Sequence, residues 1–511
     1  MFAVAAVALV YTPIFGNSFW FLAPFIILLR SESADGSYFS SFSWLVCFGL
    51  ICGLLFYVRF FYGVAALATW GTYLAYSSLI SRNFKKLASF LVAFLLGFLV
   101  FGLAIFHTPK SIFDYILINK NLSFGNSVDM IYDVSNYWWV YIAVFSILLS
   151  GSIYLFVFRR SFLLVYIALF LLFLKLGFSR TDHYIVYFIY PMSVVSLVFL
   201  FDQRKLGKIL FFLFVMMFNF MLSRSVFEGG PRMPYFTEKI EANKSLYKKS
   251  YFERMATTYQ EFKLEDPFLK IIGDASIDFY PYNNEYAFAN HLNYTWRPSF
   301  QSYMTLTPEL GILNKEFIES QQGPRFILWS PMQWGDQKNF FEAFDDKYIL
   351  NEDPLTALSI LSNYKLRKMG TSRISPVALF ERKVELEEFS APKVAEAVMK
   401  FNQWISVPKE FKALKLRPNF KFTLFGRLKN FLFRGNVIKI DYKLSTGEVK
   451  TYRVNTLNSQ VGVWASPYLV DFTSEGTPVL EIRFRKEDGY IYEEFEGQWV
   501  SHPLNVSAFE P

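Results

Sequence analysis

Apolar residues dominate the first part of the chain, where they form long runs that polar residues interrupt only briefly. A helix needs about 20 such residues to cross a bilayer whose hydrocarbon core is about 30 Å thick. The pattern therefore predicts an all-α membrane domain over residues 1–223, a polytopic bundle of about nine spans, several of them short. The predicted segments are roughly 1–15, 18–30, 44–58, 60–80, 88–106, 137–158, 162–176, 183–201 and 208–223.

The pattern changes after residue 223. Residues 224–384 alternate between short apolar runs and helical periodicity, which predicts a soluble α/β segment. The predicted elements are strands at 270–274, 325–329 and 377–380 and helices near 309–320 and 354–363. Residues 385–511 begin with a helix-like stretch at 391–405. Alternating segments separated by turn signals follow, and they predict a C-terminal antiparallel β-sandwich.

Charge follows the same division. Only 18% of the 511 residues are charged, and residues 1–223 hold most of the net charge of +8. This excess lies between the apolar segments, so it predicts topology and gives no reason to expect nucleic-acid binding. The two cysteines, Cys47 and Cys52, fall in one predicted span, and the four histidines are scattered. The sequence therefore carries no metal motif, although a divalent cation stays open as a cofactor.

Basic residues mark one side of the membrane. They cluster in three loops that are two spans apart, as residues on one side must be, and the excess of Lys and Arg is typical of cytoplasmic loops. Loops 107–136 and 176–182 are then predicted to lie outside, together with residues 224–511. The clustered residues are Arg82, Lys85 and Lys86, then Arg159 and Arg160, then Arg204, Lys205 and Lys208.

The outer loop between two predicted spans carries the densest group of ionisable residues. Ionisable groups at a membrane boundary are costly unless they are solvated or paired, which makes them functional candidates. Lys175, Arg180 and His183 are the predicted ligands of a phosphate group, and Asp182 is a candidate to orient Arg180 or to accept a proton from a sugar hydroxyl. The alternative is interfacial anchoring, with Asp182 as a helix cap.

Two further positions are candidates. Arg59 is the only charge in residues 44–80, and it is predicted to contact a lipid phosphate or simply to mark a hairpin turn. Asp114 lies in the predicted outer loop 107–136 with Asp129 and Asp133, and a general base for glycosyl transfer would be a carboxylate of this kind. Solvated loop carboxylates are far commoner than catalytic ones.

Three stretches of the chain resemble bacterial polytopic glycosyltransferases of the GT-C type. The Gly-rich residues 49–59 end in Arg59, and residues 177–183 are similar to a Gly-Phe-x-Arg-x-Asp segment followed by His. Residues 293–303 contain an Arg-Pro-Ser-Phe-Gln-Ser-Tyr run similar to the family's periplasmic region. The resemblance implies a multi-pass enzyme of the bacterial inner membrane with a periplasmic or extracellular C-terminal region.

The resemblance also implies a reaction. Such enzymes take a sugar from a polyprenyl-phosphate carrier and transfer it to a lipid or surface glycan acceptor, with membrane lipids around the spans. Their acidic residue usually lies in the first outer loop, and that loop of this chain has no Asp or Glu. We therefore expect either that early spans are missing upstream of Met1 or that the chemistry takes place elsewhere in the chain. The alternatives are a non-catalytic scaffold that binds glycans and a transporter of lipid-linked sugars.

Overall fold

A computed structural model describes residues 13–33, 41–130, 138–178, 183–202, 204–227, 259–331, 339–384, 392–472, 475–487 and 489–502. The chain divides into two compact units. The first contains residues 1–119 and 132–237, and the second contains residues 120–131 and 238–511.

The first unit is helical, because its sequence offers long apolar runs whose backbone groups can be satisfied within a helix. Two π-helical turns, Leu67–Gly71 and Ile185–Ile189, interrupt the α-helices. The α-helices are α1 (Pro13–Ser33), α2 (Phe42–Val58), α3 (Phe60–Ala66), α4 (Thr72–Ser81), α5 (Lys85–Phe106), α6 (Pro109–Asp129), α7 (Trp138–Phe158), α8 (Arg160–Phe178), α9 (Tyr190–Val195), α10 (Leu197–Leu200) and α11 (Lys205–Phe227).

Three of the described helices are long and apolar enough to cross a membrane. They cover Lys85–Phe106, Trp139–Phe158 and Arg160–Phe178, while Phe42–Val58 and Val186–Leu200 are apolar but shorter. The described part of the chain does not support the predicted nine spans. Phe42–Val58, for example, ends at the helix break at Arg59 and is shorter than a full span.

Close packing of α2 on α5 explains the glycines of the first resembling stretch. A Cβ atom on Gly49 would lie 2.6 Å from the Cβ of Ala93, and one on Gly53 would lie 2.4 Å from the backbone nitrogen of Phe98. Small residues four apart allow two helix backbones to approach in this way. These glycines therefore have a packing role.

Residues 107–136, predicted as an outer loop, are mostly helical in their described part. Helix α6 takes up Pro109–Asp129. The sequence did not reveal this helix, because its apolar and polar residues give neither the uniform apolarity of a span nor an apolar stripe on one face. Its last turns, from Lys120 onward, belong to the second unit.

The second unit begins with an α/β arrangement around a five-stranded mixed sheet in the order β2-β1-β3-β7-β6. Strand β1 pairs in parallel with β2 and β3, while β7 is antiparallel to β3 and β6. The strands are β1 (Ser276–Tyr280), β2 (Asn293–Tyr294), β3 (Phe326–Trp329), β6 (Tyr364–Thr371) and β7 (Pro376–Arg382), and the helices are α12 (Asp266–Ile272), α13 (Glu285–Asn290), α14 (Pro308–Glu319), α15 (Ile349–Glu352) and α16 (Pro354–Asn363).

Two further sheets complete the unit, with strand orders β4-β5-β12-β11-β14-β9 and β13-β10-β15-β8. Their pairs are antiparallel except for β5 with β12. Phe484 of the first sheet and Phe495 of the second are in ring contact at 5.5 Å within one hydrophobic core. The strands are β4 (Glu342–Ala343), β5 (Lys347–Tyr348), β8 (Lys393–Lys400), β9 (Ile405–Ser406), β10 (Leu414–Asn419), β11 (Ile438–Leu444), β12 (Val449–Val454), β13 (Val463–Ser466), β14 (Val479–Lys486) and β15 (Glu494–Ser501), and one helix, α17 (Leu424–Leu432), lies between β10 and β11.

The sequence predicted an α/β segment and an antiparallel β-sandwich, and the second unit contains mixed and antiparallel sheets. Two of the predicted elements are wrong. Residues 270–274 were expected to form a strand, yet α12 covers Asp266–Ile272 and the strand starts at Ser276. The helix-like stretch 391–405 is strand β8 in its central part. There the pairing with β15 outweighs the helix propensity of Ala, Glu, Met and Lys.

Candidate functional site

Arg59 ends α2 and precedes α3, and its extended backbone (φ −162°, ψ 127°) breaks the helix there. Its half-buried guanidinium group lies among aromatic rings. The guanidinium carbon is 5.8 Å from the ring centre of Phe21, 5.6 Å from that of Tyr62 and 6.0 Å from that of Tyr187. A cation at about 6 Å from a ring centre is attracted by the π-face. The rings hold the cation in place, and the guanidinium also hydrogen-bonds to the hydroxyl groups of Tyr62 and Tyr187. Its described partners at this place are therefore neutral.

His183 lies beside the same tyrosine. The ring centres of His183 and Tyr187 are 5.4 Å apart in an edge-to-face arrangement. The backbone N–H of Tyr187 also donates to the carbonyl of His183 at 2.9 Å, at the entry to the π-helical turn. Tyr187 therefore contacts two of the predicted phosphate ligands, Arg59 and His183. The structure brings these two residues to one place.

Lys175 occupies the last turn of α8 and is half-buried. Close by, a Cβ atom on Gly177 would lie 2.7 Å from the Cβ of Phe188, so this helix end packs tightly on the π-helical turn. Two residues before Lys175, Phe173 is in ring contact with Phe21 at 6.2 Å. The end of α8 thus lies against elements that carry the rings around Arg59.

The two predicted catalytic carboxylates are Asp182 and Asp114, and the structure describes one of them. Arg180 and Asp182 lie outside the described residues. Asp114 is half-buried on α6, and within the described residues it makes no ion pair. The neighbouring Tyr115 donates its hydroxyl to the carbonyl of Phe56 at 2.5 Å, three residues before Arg59 in the sequence. Helix α6 therefore packs near the break that carries Arg59.

A metal site was left open by the sequence. Among the described residues, no group of three or more His, Cys, Asp and Glu side chains could hold a metal ion.

The second unit contains a buried ion cluster that the sequence did not reveal. Lys347 is fully buried and lies 2.7 Å from a carboxylate oxygen of Asp129 and 3.2 Å from one of Glu352. Glu352 also accepts a hydrogen bond from Ser302 at 2.7 Å. Burial raises the pKa of Glu352, although Lys347 opposes that shift. Since Asp129 is paired in this way, it is a structural residue rather than the candidate base of the loop.

Arg297, the arginine of the third resembling stretch, is also structural. It is fully buried and donates to Asp278 at 2.6 Å and to the carbonyls of Phe279, Pro281 and Phe300, each at 2.8 Å. These bonds connect the end of β1 to the following loops. The arginine fork suits several acceptors at once, which accounts for its position.

A groove of about 790 Å³ lies on the outward side of the four-stranded sheet, within the second unit. Its floor is polar, since Arg417, Gln498 and Glu396 lie opposite one another on three adjacent strands. Gln498 donates to Glu396 at 2.9 Å. A volume of this size is typical of small-molecule sites. Planar amide, carboxylate and guanidinium groups are suited to sugar hydroxyls.

Sequence reasoning selected Arg59 and His183 but missed the aromatic rings between them. The only local sign of Tyr187 was its spacing of four residues from His183, which places both on one face of a helical turn. Phe21 and Tyr62 are distant in sequence or hidden among apolar residues, and only the tertiary fold brings them together.

No family model, no curated protein and no solved structure matches this chain.

Proposed function

We propose that the chain is an integral membrane glycosyltransferase that moves a sugar from a polyprenyl-phosphate donor to a lipid or glycan acceptor. The reaction would take place on the outer face of the bacterial inner membrane. The observation that carries the proposal is the contact of Arg59 and His183 with one ring, that of Tyr187. This arrangement supplies cationic donors beside apolar helices, which is what a phosphate on an isoprenoid tail requires.

The proposed reaction is a displacement at the anomeric carbon of the donor sugar. A hydroxyl oxygen of the acceptor forms a bond to that carbon, and the bond from the carbon to the phosphate oxygen breaks. The phosphate leaves with the electron pair, and Arg59, Lys175, Arg180 and His183 stabilise its charge. Such electrostatic stabilisation of a developing anion is commonly the largest catalytic contribution.

The acceptor hydroxyl must lose a proton in this step. We assign that role to Asp182 or to Asp114, and the two differ in what supports them. Asp182 follows Arg180 by two residues and precedes His183, so it belongs to the same segment as the phosphate ligands. Asp114 lies on α6, which packs near Arg59 through Tyr115. A carboxylate within hydrogen-bonding reach of the hydroxyl would act as the general base.

The test is a transfer assay with the full chain in proteoliposomes. The donors are polyprenyl-phosphate-linked hexoses and pentoses with a radiolabel, and the acceptors are lipids extracted from the native membrane. We expect label to move from one donor, and Arg59→Gln to lower the rate by tenfold or more, since a charged hydrogen bond contributes about 1.5–3 kcal/mol.

Arg82→Gln is the matched control, because Arg82 is exposed in a basic loop of the same unit. It should leave the transfer rate unchanged. Absence of transfer from every donor, or equal losses in both variants, would contradict the proposal.

The groove favours a second candidate, a non-catalytic protein that binds glycans. In that case Gln498→Ala should weaken the binding of surface glycan to the full chain, while Arg59→Gln should have no effect on it. A transferase should show the transfer defect of Arg59→Gln whether or not the groove binds glycan. The two variants together therefore separate the candidates.

A further inference from the structure

Helix α17 has its apolar side exposed. Leu424, Phe425, Leu428 and Phe431 are between 51% and 79% exposed, although they are four of only nine residues in the helix. Spacings of three and four residues place 424, 428 and 431 on one face, with 425 beside them. A helix of a soluble domain normally has the opposite arrangement, with its apolar stripe towards the core.

The polar side of α17 attaches it to its unit. The N-terminal residue Thr423 accepts a hydrogen bond from the backbone N–H of Gly426 at 3.1 Å. A Cβ atom on Gly426 would lie 2.6 Å from the carbonyl oxygen of Tyr490, so the helix packs closely there. Asn430 is buried and accepts a hydrogen bond from Asn436 at 3.0 Å. The outward direction of the apolar side is therefore fixed by specific contacts.

The flanks of this apolar face are basic. On a helical projection, Arg427 lies beside Phe431 and Lys429 lies beside Phe425. Lys429 extends over the ring of Tyr490 at 5.4 Å and bonds to Asn436 at 3.0 Å. Residues 411–440 contain eight Lys and Arg and no Asp or Glu. Lys421 and Lys439 pair with Glu496 and Glu487, so the positive charge that flanks the apolar face is that of Arg427 and Lys429.

We infer that α17 lies on the surface of an anionic lipid bilayer, with Leu424, Phe425, Leu428 and Phe431 in the headgroup region. An apolar face with basic flanks is the pattern of interfacial helices, which enter the membrane by about 5–10 Å. The charge is complementary to anionic headgroups. A bilayer is also available, because the same chain carries helices long enough to cross one. The inference does not depend on the transfer reaction.

The experiment uses the full chain in nanodiscs that contain phosphatidylglycerol. Leu428→Cys is labelled with bimane in a Cys47→Ala background, where the remaining Cys52 is buried. Lipid that carries a doxyl quencher at carbon 5 of its acyl chain is then added. We expect the fluorescence to fall by about half, since the side chain would lie at the depth of that carbon. Val449→Cys is the control, because Val449 is an apolar residue of the same unit that is 47% exposed.

Three results would overturn the inference. The first is equal quenching at residues 428 and 449. The second is a label that doxyl lipid does not quench but that is protected from aqueous iodide, which would identify a protein partner or a second copy as the occupant. The third is unchanged quenching when phosphatidylglycerol is replaced by phosphatidylcholine. This result would show that the contact of the helix with the bilayer does not depend on anionic lipid.

Discussion

Arg297 is fully buried and Arg59 is half-buried, and the two are held in different ways. Arg297 has a carboxylate as its counter-ion and three carbonyls as further acceptors, so its charge is paired within the protein. Arg59 is surrounded by rings, and within the described residues no carboxylate lies at ion-pair distance from it. Arg297 is therefore a structural residue, because its charge has a buried counter-ion. Among the described residues Arg59 has neutral partners, the rings and the hydroxyls of Tyr62 and Tyr187, so we propose that an anionic ligand supplies its counter-ion.

The largest expected effect is on Arg297. Arg297→Ala would leave the carboxylate of Asp278 buried without its partner, which costs about 3–5 kcal/mol of unfolding free energy. We expect a large fall in the melting temperature of the detergent-solubilised protein. Arg325→Ala is the control, since Arg325 pairs with Glu381 at the surface and such pairs contribute about 0–1 kcal/mol. Equal effects of both variants would contradict the distinction between buried and exposed pairs.

The next largest expected effect is on the pH dependence of the unfolding free energy. It comes from Asp353, which is fully buried near Arg297 and Glu352. Burial raises its pKa from 3.8 to about 7. The folded protein then keeps a proton that the unfolded chain releases, so unfolding free energy should fall as pH rises from about 4 to about 7. The slope contributed by this group is at most about 1.4 kcal/mol per pH unit.

Thermal unfolding measured across this pH range tests the effect of Asp353. Asp353→Asn should remove this part of the slope, whereas Asp274→Asn, at an exposed position, should keep it. A slope that persists in Asp353→Asn would show that other groups cause it.

The smallest expected effect on stability is at Arg59 itself. Arg59→Gln should cost about 1–2 kcal/mol of unfolding free energy, because each of the three ring contacts contributes about 0.5–1 kcal/mol and solvent compensates part of the sum. The melting temperature should therefore change far less than in Arg297→Ala. A loss as large as that of Arg297→Ala would mean that Arg59 is structural too.

The sequence predicted the parts of the fold that local pattern determines. The runs at 325–329 and 377–380 are buried strands, and the helices near 309–320 and 354–363 begin at Pro308 and Pro354, where proline suits the first turn. The strand predicted at 270–274 is wrong, because that prediction depended on the two isoleucines in this stretch. The preceding Pro267 and the positive φ of Gly273 (53°) instead bound a short helix.

The site was predictable only in part. Arg59 and His183 stood out because ionisable residues are rare among apolar ones. Their common contact, Tyr187, is one of 31 tyrosines, and only tertiary structure singles it out. The roles of Asp129 and Arg297 were hidden for the same reason, since their partners Lys347 and Asp278 are defined by folding.

The most direct test of the central claim is the binding of a polyprenyl phosphate to the full chain, measured by native mass spectrometry from detergent micelles. We predict a bound lipid on the wild-type protein, at least tenfold weaker binding by Arg59→Gln and partial retention by Arg59→Lys. Arg82→Gln should bind as the wild type does. Undiminished binding by a folded Arg59→Gln variant would contradict the assignment of Arg59 as the phosphate ligand.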